Sequence, residues 1–170
     1  MSRERPGATL PRSGRPRAQL PLLDRLIDAD PGAADPTVPT AAEALERLRS
    51  AVRRDLEALL NARRRRRPLP KLLTELPTSL INYGIPDPVS GTYAVPDLRV
   101  ALANEVEATI RRFEPRLSSV SVELVDDTDG LGGMLRMKVD AILRADPVPE
   151  QVSFETLLEP VSRDVTVRET

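Results

Sequence analysis

The chain has 170 residues with no cysteine, no histidine and 2 % aromatic residues, and these counts exclude several kinds of chemistry. Without cysteine it holds no disulfide, thiolate nucleophile or zinc finger, and without histidine it lacks the commonest general base. The formal net charge is −1, but residues 1–119 carry +5 and residues 120–170 carry −6. This asymmetry indicates two surfaces that meet different partners rather than one basic nucleic-acid footprint.

The N-terminal region predicts little fixed structure. Residues 1–20 contain three prolines and two glycines among five arginines, with too little apolar surface to offset the entropy of ordering, and they predict a disordered tail. Residues 21–40 predict a short docked helix, PLLDRLIDAD, and then a linker rich in proline and glycine. Because no apolar run has the ~20 residues of a membrane span or resembles a signal peptide, we expect a cytoplasmic protein without membrane insertion.

Helical periodicity begins at residue 40. Thr40 and Glu43 form a capping-box pattern, and the apolar residues after them recur three and four positions apart, which predicts a helix over 41–62. A second apolar cluster predicts a short helix that ends at Gly84, and Pro77 argues for a break or a fresh start inside it. Asp97 is the predicted N-cap of a third helix, whose apolar stripe is Leu98, Leu102, Val106, Ile110 and Phe113.

The period changes to two near residue 120 and predicts four strands. Helices followed by alternating strands predict an α+β fold in which N-terminal helices pack on a C-terminal antiparallel sheet, with residues 41–170 as a single domain. The last segment, VSRDVTVRET, carries charges that suit an exposed edge strand, and we expect this edge to receive a partner strand.

Two charged segments have ordinary structural explanations. The run Arg63 to Arg67 lacks aromatic neighbours and is typical of a solvated surface rather than a nucleic-acid site, and we expect no nucleic-acid partner. Asp126, Asp127 and Asp129 lie in a predicted hairpin loop without the calcium-binding spacing of an EF-hand. We therefore predict no metal site and no cofactor.

Glu114 stands out because it follows the third helix, where the helix dipole disfavours an anion. It should need a cationic partner such as Arg111, Arg112 or Arg116. Pro115 ends the helix and fixes a bend between Glu114 and Arg116.

Three segments, in this order and spacing, resemble TssE, the baseplate subunit family of type VI secretion machines, which is related to phage baseplate wedge proteins called lysozyme-like. They are DLEALLNARR (55–64), SLINYGIPD (79–87) and IRRFEPRL (110–117). The resemblance implies a structural protein that contacts other baseplate wedge subunits and seeds the contractile sheath. It also implies that Glu114, Pro115 and Arg116, the family's hallmark, form a subunit contact.

An alternative is a peptidoglycan-degrading hydrolase with Glu114 as general acid and a carboxylate such as Asp126 as its partner. Arginines beside Glu114 should lower its pKa, which is the wrong direction for an acid catalyst, and few aromatic residues are present to bind a saccharide. We therefore expect a structural protein without catalytic residues rather than an enzyme. Nucleic-acid binding through Arg63 to Arg67 ranks below both.

Overall fold

The computed structural model describes residues 22–27, 40–64, 68–70, 72–86, 96–125, 135–145, 148–158 and 164–170. These residues form three α-helices, two 3₁₀ turns and four strands. They are α1 (Leu22–Leu26), α2 (Ala41–Asn61), the turns Leu76–Thr78 and Leu80–Asn82, α3 (Pro96–Phe113), β1 (Leu117–Val125), β2 (Leu135–Leu143), β3 (Glu150–Leu158) and β4 (Val165–Glu169). The predicted tail, most of the predicted linker and the loop with Asp126 lie outside the described residues.

The four strands form one antiparallel sheet in the order β1-β2-β3-β4. Alternate residues of β2, β3 and β4 are buried, and α2 lies against β4 while α3 lies against β1. The predicted α+β class, with helices packed on a C-terminal sheet, is confirmed. The largest fully buried side chains come from both layers and include Leu56, Leu60, Ile110, Met137 and Phe154.

Helix α2 follows its prediction closely. The Thr40 hydroxyl accepts from the Glu43 main-chain N–H at 3.2 Å, and the Glu43 carboxylate accepts from the Thr40 N–H at 2.7 Å, which completes the capping box. Helix α3 differs at its start, because it begins at Pro96 and places Asp97 inside the first turn rather than at the N-cap. Leu98, predicted as part of the buried stripe, is 46 % exposed.

The segment between α2 and α3 corrects a second prediction. Two 3₁₀ turns replace the predicted short helix, because Ser79 is extended and separates them. Gly84 follows with a φ of +99°, and a Cβ there would lie 2.3 Å from the Ala62 carbonyl oxygen. This close approach lets the Ile85 N–H donate to the Ala62 carbonyl at 3.0 Å and holds the segment against the end of α2.

Helix α1 is held by charge rather than by packing. Its apolar residues were predicted to dock, yet Leu22 is 67 % and Leu26 73 % exposed. The described contact is between Asp24 and Arg54 of α2, whose Nη1 donates to Oδ1 at 2.6 Å and Nη2 to Oδ2 at 3.1 Å. No helix in the described part of the chain is long and apolar enough to cross a membrane.

A β-bulge explains why the start of β1 departs from strict alternation. Leu117 and Val120 are both buried although they are three residues apart. Between Ser118 and Ser121 the strand holds two residues opposite the single Ala141 of β2, and Ser119 takes a positive φ of 51°. The extra residue returns Leu117 to the core face directly after the bend that follows α3.

Both edges of the sheet are partly covered by side chains from the helices. On β4, the Asn61 side chain accepts from the Val165 N–H and donates to its carbonyl, both at 2.8 Å. On β1, Arg111 of α3 donates to the Val120 carbonyl at 2.8 Å. The β4 edge, expected to be open, is therefore occupied at its start, since a helix end with a suitable amide lies beside it.

Candidate subunit-contact site

A tight bend connects α3 to β1. The Glu114 N–H still donates to the Ile110 carbonyl at 2.8 Å, as in a helix, and the Glu114 carbonyl accepts from the Leu117 N–H at 3.1 Å. Pro115 lies between them and is exposed, and the helix ends here because proline has no N–H to continue the helical hydrogen bonds. The Arg116 carbonyl accepts from Arg144 N–H at 2.8 Å, which fixes the bend to the end of β2.

Glu114 and Arg116 form a double hydrogen bond across this bend. Arg116 Nε donates to Glu114 Oε1 at 2.6 Å, and its Nη2 donates to Oε2. The Glu114 side chain is only 5 % exposed, and the Arg116 guanidinium supplies the paired charge and hydrogen bonds that a buried carboxylate needs. The prediction of a cationic partner is confirmed with Arg116, whereas Arg111 pairs with Glu107 of its own helix.

Asp55 of α2 is a third member of the cluster. Its Oδ2 accepts from Arg116 Nη2 at 2.7 Å, while its Oδ1 accepts from Arg54 Nε at 3.1 Å. Because Arg54 also binds Asp24, charges of alternating sign run from the bend to α1 in the order Glu114, Arg116, Asp55, Arg54, Asp24. Three carboxylates share two guanidinium groups, so this charge network has a net charge of −1.

The charge network shifts the pKa values of its members. Burial alone would lower the pKa of Arg116, but hydrogen bonds to Glu114 and Asp55 outweigh it and the pKa is raised. The hydrogen bond from Arg54 lowers the pKa of Asp24. Burial raises the pKa of Tyr83, and the charges of Asp55 and Glu114 raise it further. The two arginines therefore stay cationic, and the Tyr83 phenol stays protonated at neutral pH.

A surface pocket of about 370 Å³ opens beside the bend. Its lining consists of Asp55, Leu59, Tyr83, Phe113, Glu114, Pro115 and Arg116. The Tyr83 and Phe113 rings meet edge to face, with centroids 5.3 Å apart and planes at 71°. We refer to this cavity as the bend pocket.

The bend pocket brings together the three segments that carry the family resemblance. Asp55 belongs to the first segment, Tyr83 to the second, and the sequence from Phe113 to Arg116 to the third. Sequence reasoning identified the third segment as a site but missed Asp55 and Tyr83. The signal that could have found them was the joint occurrence of the three segments. Three separate segments that together carry one family resemblance are expected to lie close together in the fold, and Asp55 and Tyr83 belong to two of them.

Arg63 and Arg64 are not among the residues that line the bend pocket. Arg63 and Arg64 were expected to be solvated, but Arg64 pairs with Glu105 of α3 at 2.6 Å, and its side chain is 18 % exposed. Arg63 donates to the Leu60 carbonyl at 2.9 Å. Arg65 to Arg67 and the aspartates 126, 127 and 129 lie outside the described residues. Within the described ranges, no three potential ligand side chains come together as a metal site.

The helices, the four-stranded meander and the charged bend define a small α+β domain. A family model described as baseplate wedge protein gp25 matches residues 46–148, which include all three resemblance segments, and the chain belongs to this family. TssE belongs to the same family, so the resemblance is confirmed. Membership indicates a structural role in a phage-like baseplate, assembled with other baseplate subunits. None of the curated proteins compared matches the chain.

Proposed function

We propose that this chain is the TssE-type subunit of a type VI secretion baseplate, a cytoplasmic structural protein that joins wedge subunits and seeds the contractile sheath. Membership of the baseplate wedge family supports the baseplate part of this proposal. The three segments around the bend pocket support the type VI assignment, since those are the segments that resemble TssE. Residues 41–170 act as the single wedge domain, preceded by a short helix and linker at 21–40 and a tail at 1–20.

The subunit contact in this proposal is Glu114, Pro115 and Arg116. The observation that carries it is a buried carboxylate, 5 % exposed, held in a fixed bend whose proline is exposed and whose arginine remains 23 % exposed. Such a bend offers a rigid, charged ridge at the surface, and rigid groups lose little entropy when a partner binds.

A hydrolase using Glu114 is the weaker function. The Glu114 carboxylate is buried and accepts three hydrogen bonds from Arg116, so both of its oxygens are already engaged within the bend. The second carboxylate in the bend pocket, Asp55, is bound to the same guanidinium. The predicted partner Asp126 lies outside the described residues, and the family is structural.

Co-purification tests the contact. A tagged chain in the source cell should recover baseplate wedge and sheath proteins, and Glu114→Gln should reduce that recovery strongly, because the amide cannot hold Arg116 as a double charged pair. Circular dichroism of the pure variant checks that it is folded. Normal recovery with folded Glu114→Gln would reject the contact, and hydrolysis of cell wall by the wild-type protein would favour the enzyme instead.

Sheath seeding, in our proposal, uses strand addition at the end of β4. The Thr170 N–H donates to the Ser153 carbonyl at 3.0 Å, so even-numbered residues of this strand pair with β3 and the main chain of Val165, Val167 and Glu169 faces outward. The Asn61 side chain already binds the outward main-chain groups of Val165, and Val167 is only 1 % exposed, so neither residue is open to a partner strand. Exposed Glu169 is therefore the place where an incoming strand would pair.

Two substitutions at one position test the seeding. Glu169→Pro removes an outward N–H without breaking a hydrogen bond to β3, whereas Glu169→Ala removes only the side chain. Sheath assembly, followed by fluorescence of a labelled sheath protein in cells, should fall with proline and persist with alanine. Normal sheaths with Glu169→Pro would contradict seeding at this strand.

A further inference from the structure

The bend pocket contains polar groups that its own contacts leave available. The Asp55 side chain is 36 % exposed although both of its oxygens accept hydrogen bonds. No hydrogen bond among the described residues involves the Tyr83 hydroxyl. Arg116 uses Nε and Nη2 for its described bonds, and its Nη1 makes none of them. The pocket therefore offers a carboxylate and a neutral phenol to a ligand.

The walls and the charge of the bend pocket indicate which kind of ligand it can bind. Leu59, Phe113 and the Tyr83 ring give it apolar walls, which suit the methylene stem of a long side chain. The charge network beside it holds three carboxylates, Glu114, Asp55 and Asp24, against the two guanidinium groups of Arg116 and Arg54, and so carries a net charge of −1. An incoming carboxylate would be repelled by this excess, while a cation would be attracted by it and by the aromatic faces.

We propose that the bend pocket receives an arginine or lysine side chain from a neighbouring baseplate wedge subunit, with Asp55 and Tyr83 as the residues that select it. This inference rests on the proposed subunit contact at the bend, to which it adds the chemistry of the partner. The stem of the basic side chain lies along Leu59 and Phe113. Its charged end binds the Asp55 carboxylate and the Tyr83 hydroxyl oxygen, so the contact is specific for a cation.

Two substitutions test Asp55 and Tyr83 separately. Tyr83→Phe removes a hydroxyl without a hydrogen bond among the described residues, so the fold should be unchanged. Asp55→Asn removes the charge but keeps the size of the side chain. The matched control is Glu57→Gln, two residues further along α2, where Glu57 pairs with Arg53 at 3.6 Å and lies outside the pocket lining.

The assay co-expresses the tagged full chain with the other wedge subunits and measures how much of each is recovered as salt is raised. We expect Tyr83→Phe to weaken binding about 3- to 10-fold, as the loss of one hydrogen bond would. Asp55→Asn should weaken it at least as much and reduce the salt dependence, because a charged contact is lost. Glu57→Gln should match the wild type.

A photo-crosslinking amino acid at position 83 identifies the occupant directly. The expected adduct lies on another wedge subunit, within about one side-chain length of a lysine or arginine. An adduct on a segment without a basic residue would overturn the proposal. The proposal would also be overturned if Asp55→Asn and Tyr83→Phe both recover the wedge subunits as the wild type does while Glu114→Gln loses them. That outcome would leave the proposed subunit contact at the bend intact. Wild-type recovery with all three would reject the contact as well.

Discussion

Arg116 at the bend contacts two carboxylates and Arg49 in α2 contacts three, but the two arginines connect different parts of the molecule. Arg116 binds Glu114, two residues away in sequence, and Asp55 of α2. It lines a pocket and lies beside an exposed proline. Its contacts shape a local bend and present it at the surface.

Arg49 connects elements that are far apart in the chain. It contacts Glu46 of its own helix at 3.1 Å, Glu150 of β3, and Glu169 of β4 at 3.7 Å. Burial would lower the pKa of Arg49, but the hydrogen bond to Glu150 and the nearby carboxylates raise it. This cluster attaches α2 to two strands of the sheet.

The difference shows that residue type alone does not define a site. Both arginines are partly buried, at 23 % and 24 % side-chain exposure, and both are surrounded by carboxylates. The buried Nε of Arg49 has no hydrogen-bond partner among the described residues, whereas Nε of Arg116 donates to Glu114 at 2.6 Å. The arginine whose Nε is hydrogen-bonded is the one that lines a pocket, and our proposal therefore gives the subunit contact to Arg116 and structural support to Arg49.

The largest expected effect comes from Glu114→Ala. Removing one member of a buried, hydrogen-bonded ion pair costs about 3–5 kcal/mol, and Asp55 remains to bind Arg116, so we expect the lower end of this range. Typical domains have about 5–15 kcal/mol of stability, and the variant should therefore still fold at 25 °C. Chemical denaturation measures the loss. A change below about 1 kcal/mol would show that the pair is not effectively buried.

Arg49→Ala should have an intermediate effect. Its contacts are partly exposed and imperfectly satisfied, so we expect about 1–2 kcal/mol, between the values of surface and buried pairs. Glu150 and Glu169 are left near each other without their shared cation. Thermal unfolding measures the change, and co-purification of wedge subunits should stay normal. Loss of those subunits from a folded variant would remove the distinction between the two arginines.

The smallest effect is a pH dependence at the outer end of the charge network. The pKa of Asp24 is lowered in the folded chain by Arg54, so the unfolded state takes up a proton first as the pH falls. The Asp24–Arg54 pair therefore stabilises the folded state fully above the ordinary Asp pKa of 3.8. This stabilisation is lost as the pH falls through the lower pKa that Asp24 has in the folded chain. Asp24→Asn should make the fall in thermal stability between about pH 5 and 2 less steep, while Glu43 and Asp140, whose pKa values are also lowered, keep the rest of it. Arg49→Ala should not affect the Asp24 contribution. An unchanged profile in Asp24→Asn would show that α1 is not held by this pair.

Local patterns in the sequence predicted the elements well, and they also predicted the charged bend. The capping box at Thr40, the periodicity of α2, the end of α3 before Pro115 and the four strands follow from rules that act over a few residues. The need of Glu114 for a cation follows from the helix dipole. These features required no knowledge of tertiary contacts.

Features that depend on distant neighbours were not predictable from those rules. Asp55 meets Arg116 across 61 positions, and Asn61 meets Val165 across 104. The exposure of Leu98 depends on where α3 crosses the sheet, and the bulge at Ser119 depends on the register with β2. Each of these is set by the packing of whole elements, which propensity and spacing do not specify.

The same substitution at the two arginines tests the central claim most directly. Lysine keeps the charge but loses the planar fork that binds a carboxylate through two hydrogen bonds, so Arg116→Lys and Arg49→Lys are chemically matched. Both variants should remain folded, and co-purification from the source cell should lose the wedge subunits with Arg116→Lys while Arg49→Lys recovers them as the wild type does. Equal recovery by both folded variants, or equal loss, would contradict the assignment of subunit contact to the bend.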